Sequence, residues 1–159
     1  MSTSSKNPQS AATRREAEAQ VRGLITKFAS EHQRLIGATR RSLLKRLPTA
    51  HEVVYEYRDC FVISYSPNEH GYEGVLAIRA DAHGVRLYFN RGKGLPDPEK
   101  LLQGSASIVR WIHLEGPSTL ARPAVAGLID AAIAGNSVPF ARTGGGLVVV
   151  PTKAAKARK

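Results

Sequence analysis

The chain has few of the residues that cross-link a protein or anchor it in a membrane. It contains a single cysteine, which excludes an internal disulfide. Cys60 lies in a run of β-branched and aromatic residues with no evident neighbouring base, so we interpret it as a buried thiol rather than a reactive one. The longest aliphatic runs, such as residues 147–150, are far shorter than the roughly twenty residues of a membrane-spanning helix. No membrane association is therefore expected.

Apolar residues are also scarce at the N-terminus. The first eighteen residues are polar and lack the apolar core of a secretory signal, so a cytoplasmic location is expected. The chain of 159 residues is 42% hydrophobic and 23% charged, which is ordinary for one folded domain. We expect a frayed or disordered basic N-terminus over residues 1–20, one domain over residues 21–150 and a flexible basic tail over residues 151–159.

Motifs for catalysis and for cofactor binding are missing. The sequence contains no Gly-x-Ser-x-Gly, no phosphate-binding loop motif and no dinucleotide fingerprint, so no catalytic residue and no cofactor is predicted. Its five histidines lie thirteen to thirty residues apart, and no metal site is predicted because no pair has the close helical spacing of two ligands. Two pairs of acids have explanations other than catalysis. Glu52 and Glu56 would share a face if their segment is helical, and exposure to water explains that pair. Asp97 and Glu99 lie at the start of a predicted helix, where capping explains them.

Acids are few, and the excess of cations is unevenly distributed. Residues 1–50 carry a net charge of +7, residues 51–142 one of −1 and residues 143–159 one of +4. The N-terminal cations assigned to a basic surface are Arg22, Lys27, Arg34, Arg40, Arg41 and Lys45. A basic helix and a basic tail suit an anionic partner such as nucleic acid, although the same charge also favours solubility. The leading hypothesis is a non-enzymatic binding or adaptor module.

The remaining pattern alternates between helical and extended segments. Apolar residues recur every three or four positions over residues 13–47, which predicts an amphipathic helix that ends before Pro48 and is bent or divided at Gly37. Residues 48–59 are interpreted as a helical turn that runs into an extended stretch. A second amphipathic pattern predicts a helix over residues 123–134, with Gly135 as its cap.

Strand patterns fill the middle of the chain, at residues 60–65, 74–80, 85–90 and 108–114, and a short run follows at residues 147–150. Asp81 and Gly84 suit a four-residue turn between the second and third of these strands. Asp97, Pro98 and Gly104 predict a short capped helix. We predict an α+β fold of two layers, with N- and C-terminal helices packed on an antiparallel sheet of about four or five strands.

Two candidate binding sites follow from this arrangement. Arg86 and Tyr88 alternate with the apolar residues of their strand. If they face outward and align with Arg79 and with either Arg110 or Trp111, they form a surface on which unpaired bases stack. The alternatives are that helices cover this face, or that the arginine stems merely pack over the tyrosine rings. The second candidate is a small-ligand or enzymatic pocket beside the sheet, built from Tyr55, Tyr57, Tyr88, Arg91 and Lys93.

The loop at residues 91–94 has the composition of a phosphate cradle, since two glycines accompany Arg91 and Lys93 ahead of a predicted helix. Asp97 argues against that function. A carboxylate at the helix N-cap already accepts the amide hydrogen bonds that a phosphate needs, so the loop is interpreted as a structural turn.

One stretch resembles a known family. Residues 94–114, GLPDPEKLLQGSASIVRWIHL, resemble the signature of the YdhG-like family of bacterial domains of unknown function, and the resemblance extends over roughly residues 21–150. It implies a compact α+β domain with helices packed on an antiparallel sheet, and it implies no established activity. Some members of the wider family are frataxin-like iron chaperones. That role needs an acidic surface, whereas the N-terminal helix here has only Glu16, Glu18 and Glu31 as acids, so iron handling is disfavoured.

Overall fold

A six-stranded sheet with helices packed on one face forms the fold of the chain. The computed structural model describes residues 9–70, 73–136, 138–142 and 144–151. The helices of these residues are α1 (Ala11–Ile25), α2 (Ser30–Arg46) and α3 (Pro123–Ala134). The strands are β1 (His51–Glu56), β2 (Phe61–Ser66), β3 (Leu76–Asp81), β4 (Gly84–Phe89), β5 (Arg110–Leu114) and β6 (Gly146–Pro151). The prediction of an α+β fold is confirmed.

The strands are arranged in the order β5-β4-β3-β2-β1-β6. Neighbouring strands are antiparallel except β1 and β6, which run parallel. The sheet is therefore mixed and has more strands than the four or five antiparallel ones predicted. One added strand is β1, which occupies the segment interpreted in part as a helical turn. Its residues Val53 and Val54 are both buried, although neighbouring side chains of a strand point to opposite faces of the sheet.

The N-terminal helical pattern divides into two helices. The hydroxyl oxygen of Ser10 caps α1 by accepting a hydrogen bond from the Thr13 amide at 3.1 Å. The break falls at residues 26–29 rather than at Gly37, which lies inside α2. Phe28 in this linker packs edge-on against Phe61 of β2, with ring centroids 5.6 Å apart, so the linker follows the sheet rather than the helix axis.

The terminal segments extend the regular structure further than expected. Residues 11–20, predicted to be frayed or disordered, belong to α1. Gln9 fixes the start of this helix to the last strand, because its side chain donates to the Leu147 carbonyl at 2.7 Å and accepts from the Leu147 amide at 2.8 Å. Residues 1–8 and most of the basic tail, residues 152–159, lie outside the described residues.

Alternate residues of each strand face the helices. The register sets Leu76, Ile78 and Ala80 of β3 opposite Phe89, Leu87 and Val85 of β4. All six are buried in one cluster with residues of the helices, such as Val21, Ile36 and Ile129. Removing this apolar surface from water, at roughly 25 cal/mol per Å², is the main term that holds helices and sheet together.

The turn predicted between β3 and β4 forms, whereas the short helix predicted after residue 97 does not. Between β3 and β4 the Asp81 carboxylate accepts a hydrogen bond from the His83 amide at 2.8 Å, and Gly84 takes a φ of 123°, as predicted. The short helix predicted at residues 97–104 does not form. Asp97 instead accepts hydrogen bonds from the Leu101 and Leu102 amides at 2.9 Å each, which closes an irregular turn. Gln103 then pairs with Trp111 of β5, so the chain continues as extended backbone.

Candidate functional site

Charged and aromatic side chains gather on the sheet face that is opposite the three helices, which we call the open face. Strand register sets Arg79 of β3 opposite Arg86 of β4, and Tyr88 of β4 opposite Trp111 of β5. All four side chains are half-buried. We call Arg79, Arg86, Tyr88 and Trp111 the sheet-face cluster. His113, which is exposed, lies beside it opposite Arg86.

The members of the sheet-face cluster contact one another. The Arg86 guanidinium carbon lies 4.0 Å from the centroid of the Trp111 ring, in cation–π geometry. The Tyr88 and Trp111 rings lie 6.3 Å apart with planes tilted by 32°. Arg86 Nη1 is also 3.4 Å from the Tyr88 hydroxyl, to which it donates. These contacts fix one guanidinium against two aromatic side chains on a solvent-facing strand surface.

Arg79 extends the cluster towards the β3–β4 turn. Its Nε donates to Asp81 Oδ2 at 3.1 Å. Burial opposes the charge of Asp81, but hydrogen bonds from the His83 amide and from Arg79 lower the pKa of the carboxyl below its ordinary value. Burial likewise opposes the charge of Arg79, yet the bond to Asp81 raises its pKa overall. Arg79 is thus neutralised by Asp81, and Arg86 is the cluster's cation that has no ion pair within the described residues.

Trp111 rather than Arg110 completes the cluster. These neighbours in β5 point to opposite sides of the strand. Arg110 Nη1 donates to the carbonyl oxygens of Ala106 and Val109, at 2.6 and 2.8 Å, and so braces the loop before β5. The Trp111 ring meets that loop at Gly104, where a Cβ atom would lie 3.2 Å from the indole nitrogen and where φ is 115°. Glycine is therefore needed for the loop to approach the ring.

The five residues predicted to form one pocket do not converge. Tyr55 lies on β1, three strands from Tyr88 and therefore about 14 Å away at the usual strand spacing. Tyr57 lines a cleft at one end of the sheet, whereas Arg91 lines a separate cavity of about 210 Å³ beside the end of α3. Lys93 is exposed in a short turn of 3-10 helix that no α-helix follows, so the loop also lacks the helix N-terminus of a phosphate cradle.

Five of the six cations predicted to form a basic surface are exposed, namely Arg22, Lys27, Arg34, Arg41 and Lys45. Lys27 lies in the linker between α1 and α2 rather than on a helix. Arg40 does not belong to this surface. Its side chain is only 13% exposed, because α2 turns it towards β1, where it forms an ion pair with Glu52.

Glu52 is the centre of a buried polar network that sequence reasoning missed. Its side chain is fully buried and accepts hydrogen bonds from Arg40 Nε at 3.0 Å, Arg40 Nη2 at 2.8 Å and the Tyr65 hydroxyl at 2.7 Å. Burial opposes the charge of Arg40, but Glu52 raises its pKa overall. Burial, reinforced by Glu52, raises the pKa of Tyr65 well above its ordinary value. The network joins α2, β1 and β2; Glu52 and Tyr65 are fully buried in it, and Arg40 is 13% exposed.

A second buried polar atom lies near the other edge of the open face. His51 begins β1, and its Nδ1 is buried without a hydrogen-bond partner among the described residues. Burial lowers the pKa of His51 below its ordinary value of 6.5, although the charge of Glu69 opposes this effect. The imidazole is therefore neutral at pH 7 and adds no cation to the open face.

Comparisons of the chain with protein-family models, with curated proteins and with solved structures found no match. Within the described parts of the chain, no group of three or more His, Cys, Asp or Glu side chains is placed to bind a metal ion. None of the helices described there is long and apolar enough to cross a membrane.

Proposed function

We propose that this protein is a non-enzymatic binding module that binds single-stranded nucleic acid on its open face. The observation that carries the proposal is the Arg86 guanidinium stacked 4.0 Å from the Trp111 ring, beside Tyr88, on the sheet face opposite the helices. The described helices pack on the other face.

The chemistry of the sheet-face cluster matches what unpaired nucleotides offer. Bases stack on aromatic rings and on guanidinium planes, and each stacked base contributes about 1–3 kcal/mol with little sequence preference. A guanidinium without a carboxylate partner also neutralises a phosphate. Arg86 supplies both contacts, while Tyr88 and Trp111 supply aromatic surface beside it. Duplex DNA hides its base faces in the stack, so the cluster favours single strands.

The exposed cations of the helical layer support a second, weaker contact with a polyanion. Arg22, Arg34, Arg41 and Lys45 are exposed on α1 and α2, the two helices that pack on the other face of the sheet. Tyr and Trp are absent from α1 and α2, so this surface offers charge without stacking. The proposal includes a cytoplasmic location, where single-stranded nucleic acid is abundant. It also includes membership of the YdhG-like family, which the sequence of residues 94–114 supports.

Fluorescence anisotropy with short labelled oligouridine and oligothymidine tests the proposal. We expect binding at low salt, and we expect Arg86→Gln or Trp111→Leu to weaken it by about 1–3 kcal/mol, which is roughly fivefold to 150-fold in affinity. Lys93→Gln is the matched control, because it removes an exposed cation outside the cluster. Thermal unfolding of each variant verifies that it is folded.

Three results would contradict the proposal. The first is the absence of binding even at low salt. The second is an equal loss of affinity in Arg86→Gln and Lys93→Gln, because that outcome shows that binding depends on net charge rather than on the cluster. Preference for a duplex over a single strand of the same sequence would exclude base stacking as the mode of recognition.

A further inference from the structure

A cleft of about 450 Å³ opens at the end of the sheet where the β1–β2 and β3–β4 turns lie. The last turn of α1 and the linker to α2 form its other side. Its apolar lining comes from Leu24, Phe28 and Phe61, of which Leu24 and Phe61 are buried. The two phenyl rings meet edge to face, with planes at 82°. A volume of this size lies in the range of about 300–1,000 Å³ that is usual for small-molecule sites.

The rim of this cleft carries more available positive than negative charge. Lys27 and Arg58 are exposed, and neither side chain has an ion pair among the described residues. Two carboxylates also line the cleft, but Asp81 is occupied by Arg79 and by the His83 amide. Asp59 is the remaining carboxylate, set against two cations and the imidazole of His32.

We propose that this cleft binds a small aromatic carboxylate. The half-buried ring of Phe28 provides apolar and aromatic surface for the ring of such a ligand, and the buried Leu24 and Phe61 form the floor on which Phe28 rests. Lys27 and Arg58 provide charge-assisted hydrogen bonds for its carboxylate. A cationic ligand is disfavoured by the same two side chains, and a purely apolar one leaves them without a partner.

The cleft is a separate site from the sheet-face cluster, although Asp81, which lines the cleft, pairs with Arg79 of the cluster. Its lining comes from the turns and the helix linker at one end of the sheet, and the cleft shares no lining residue with the cluster. Failure of nucleic-acid binding therefore leaves this proposal standing, and the reverse is also true.

Cys60 provides a direct readout because it lines the cleft, is half-buried and is the chain's single cysteine. We suggest measuring the rate of its alkylation by iodoacetamide, a neutral reagent, with increasing 4-phenylbutyrate. Occupation of the cleft is expected to slow alkylation in a saturable manner. The neutral 4-phenylbutanol, which keeps the ring and lacks the carboxylate, is expected to protect about tenfold less effectively, the equivalent of losing one charge-assisted hydrogen bond.

Matched double variants identify the groups that bind the carboxylate. Lys27→Ser with Arg58→Ser is expected to raise the 4-phenylbutyrate concentration for half-protection by about tenfold or more. Arg34→Ser with Lys45→Ser removes the same charge from exposed positions of α2 and is expected to leave that concentration unchanged. All four positions are exposed, so both proteins should fold.

Three outcomes overturn the proposal. Alkylation that is insensitive to 4-phenylbutyrate at millimolar concentration shows that the cleft does not bind this class of ligand. Equal protection by the alcohol shows that the anion is not recognised. Equal weakening in the two double variants shows that distributed charge, rather than Lys27 and Arg58, attracts the ligand.

Discussion

The carboxylate of Glu52 is fully buried where α2 meets the sheet, a position that is costly for a charge unless its partners are also present. Arg40 and Tyr65 donate three hydrogen bonds to it, and Arg40 also lies 3.3 Å from Glu18 of α1. The network therefore connects two helices to two central strands. Each member of the network forms hydrogen bonds with the others. Removing one member therefore leaves buried polar groups without partners, and the free-energy cost of their desolvation is no longer offset.

This reasoning predicts unequal effects for substitutions in the network. Glu52→Ala leaves Arg40 half-buried without its main partner, and we expect the free energy of unfolding to fall by about 3–5 kcal/mol. Tyr65→Phe removes one hydrogen bond to a charged group while keeping the ion pair, and a loss of about 1.5–3 kcal/mol is expected. Urea denaturation measures both.

The surface pair Arg122 and Glu115 provides the comparison, since its side chains are 53% and 68% exposed. Arg122→Ala is expected to change stability by no more than about 1 kcal/mol. A Glu52→Ala protein as stable as Arg122→Ala would show that the buried carboxylate contributes nothing beyond what a surface ion pair does.

At the scale of elements, local sequence predicted much of the fold. The pattern of Val85, Leu87 and Phe89 placed one face of β4 in the core, and Asp81 with Gly84 identified the hairpin turn. Both signals act within a few residues. The alternation in β4 also predicted that Arg86 and Tyr88 share the opposite face. Two members of the sheet-face cluster could thus be predicted from local sequence, whereas the choice between Arg110 and Trp111 required the structure.

What local sequence could not predict depends on distant partners. The helical pattern is continuous through Phe28, yet the helix breaks at residues 26–29, where Phe28 packs on Phe61, thirty-three residues further along the chain. Glu52 is buried because Arg40 faces it from another element. Residues 97–104 contain good capping residues, but pairing of Gln103 with Trp111 holds the backbone extended. In each case a tertiary contact outweighs a local preference worth about 1 kcal/mol.

Gly37 allows a direct test of the helix boundaries. It lies inside α2, and a Cβ atom there would meet only Arg41 Nη1, at 3.5 Å, which is ordinary contact. Gly37→Ala should therefore raise the free energy of unfolding by about 0.5–1 kcal/mol, because alanine loses less backbone entropy on forming a helix. Thermal and urea denaturation measure this gain.

Gly145 is the matched contrast, since it precedes β6 with a φ of 95° and a Cβ atom there would lie 3.0 Å from the Ala50 carbonyl. Gly145→Ala is expected to lower stability by about 1–3 kcal/mol. If Gly37→Ala destabilised the protein instead, position 37 would have to be a break in the helix, as the sequence pattern alone suggested.

At the scale of the whole molecule, the positive charge is divided between the helical layer and the open face of the sheet. The helical layer exposes Arg22, Arg34, Arg41 and Lys45, and the open face carries the sheet-face cluster. A helix with its side chains is about 10–12 Å across, whereas the Debye length at physiological ionic strength is about 8 Å. A short single strand bound to one surface is therefore largely screened from the charge of the other.

The salt dependence of binding separates the two surfaces. A fourfold variant with serine at Arg22, Arg34, Arg41 and Lys45 reduces the net charge from +10 to +6. Its affinity for a short single strand at physiological salt should stay close to that of the unmodified protein, with an unchanged slope of log affinity against log salt. Arg86→Gln should reduce the magnitude of that slope by about 0.7, the value for one lost phosphate contact to a single strand. If instead the fourfold variant flattened the slope and Arg86→Gln did not, the nucleic acid would lie on the helical layer, and the open face would need another partner.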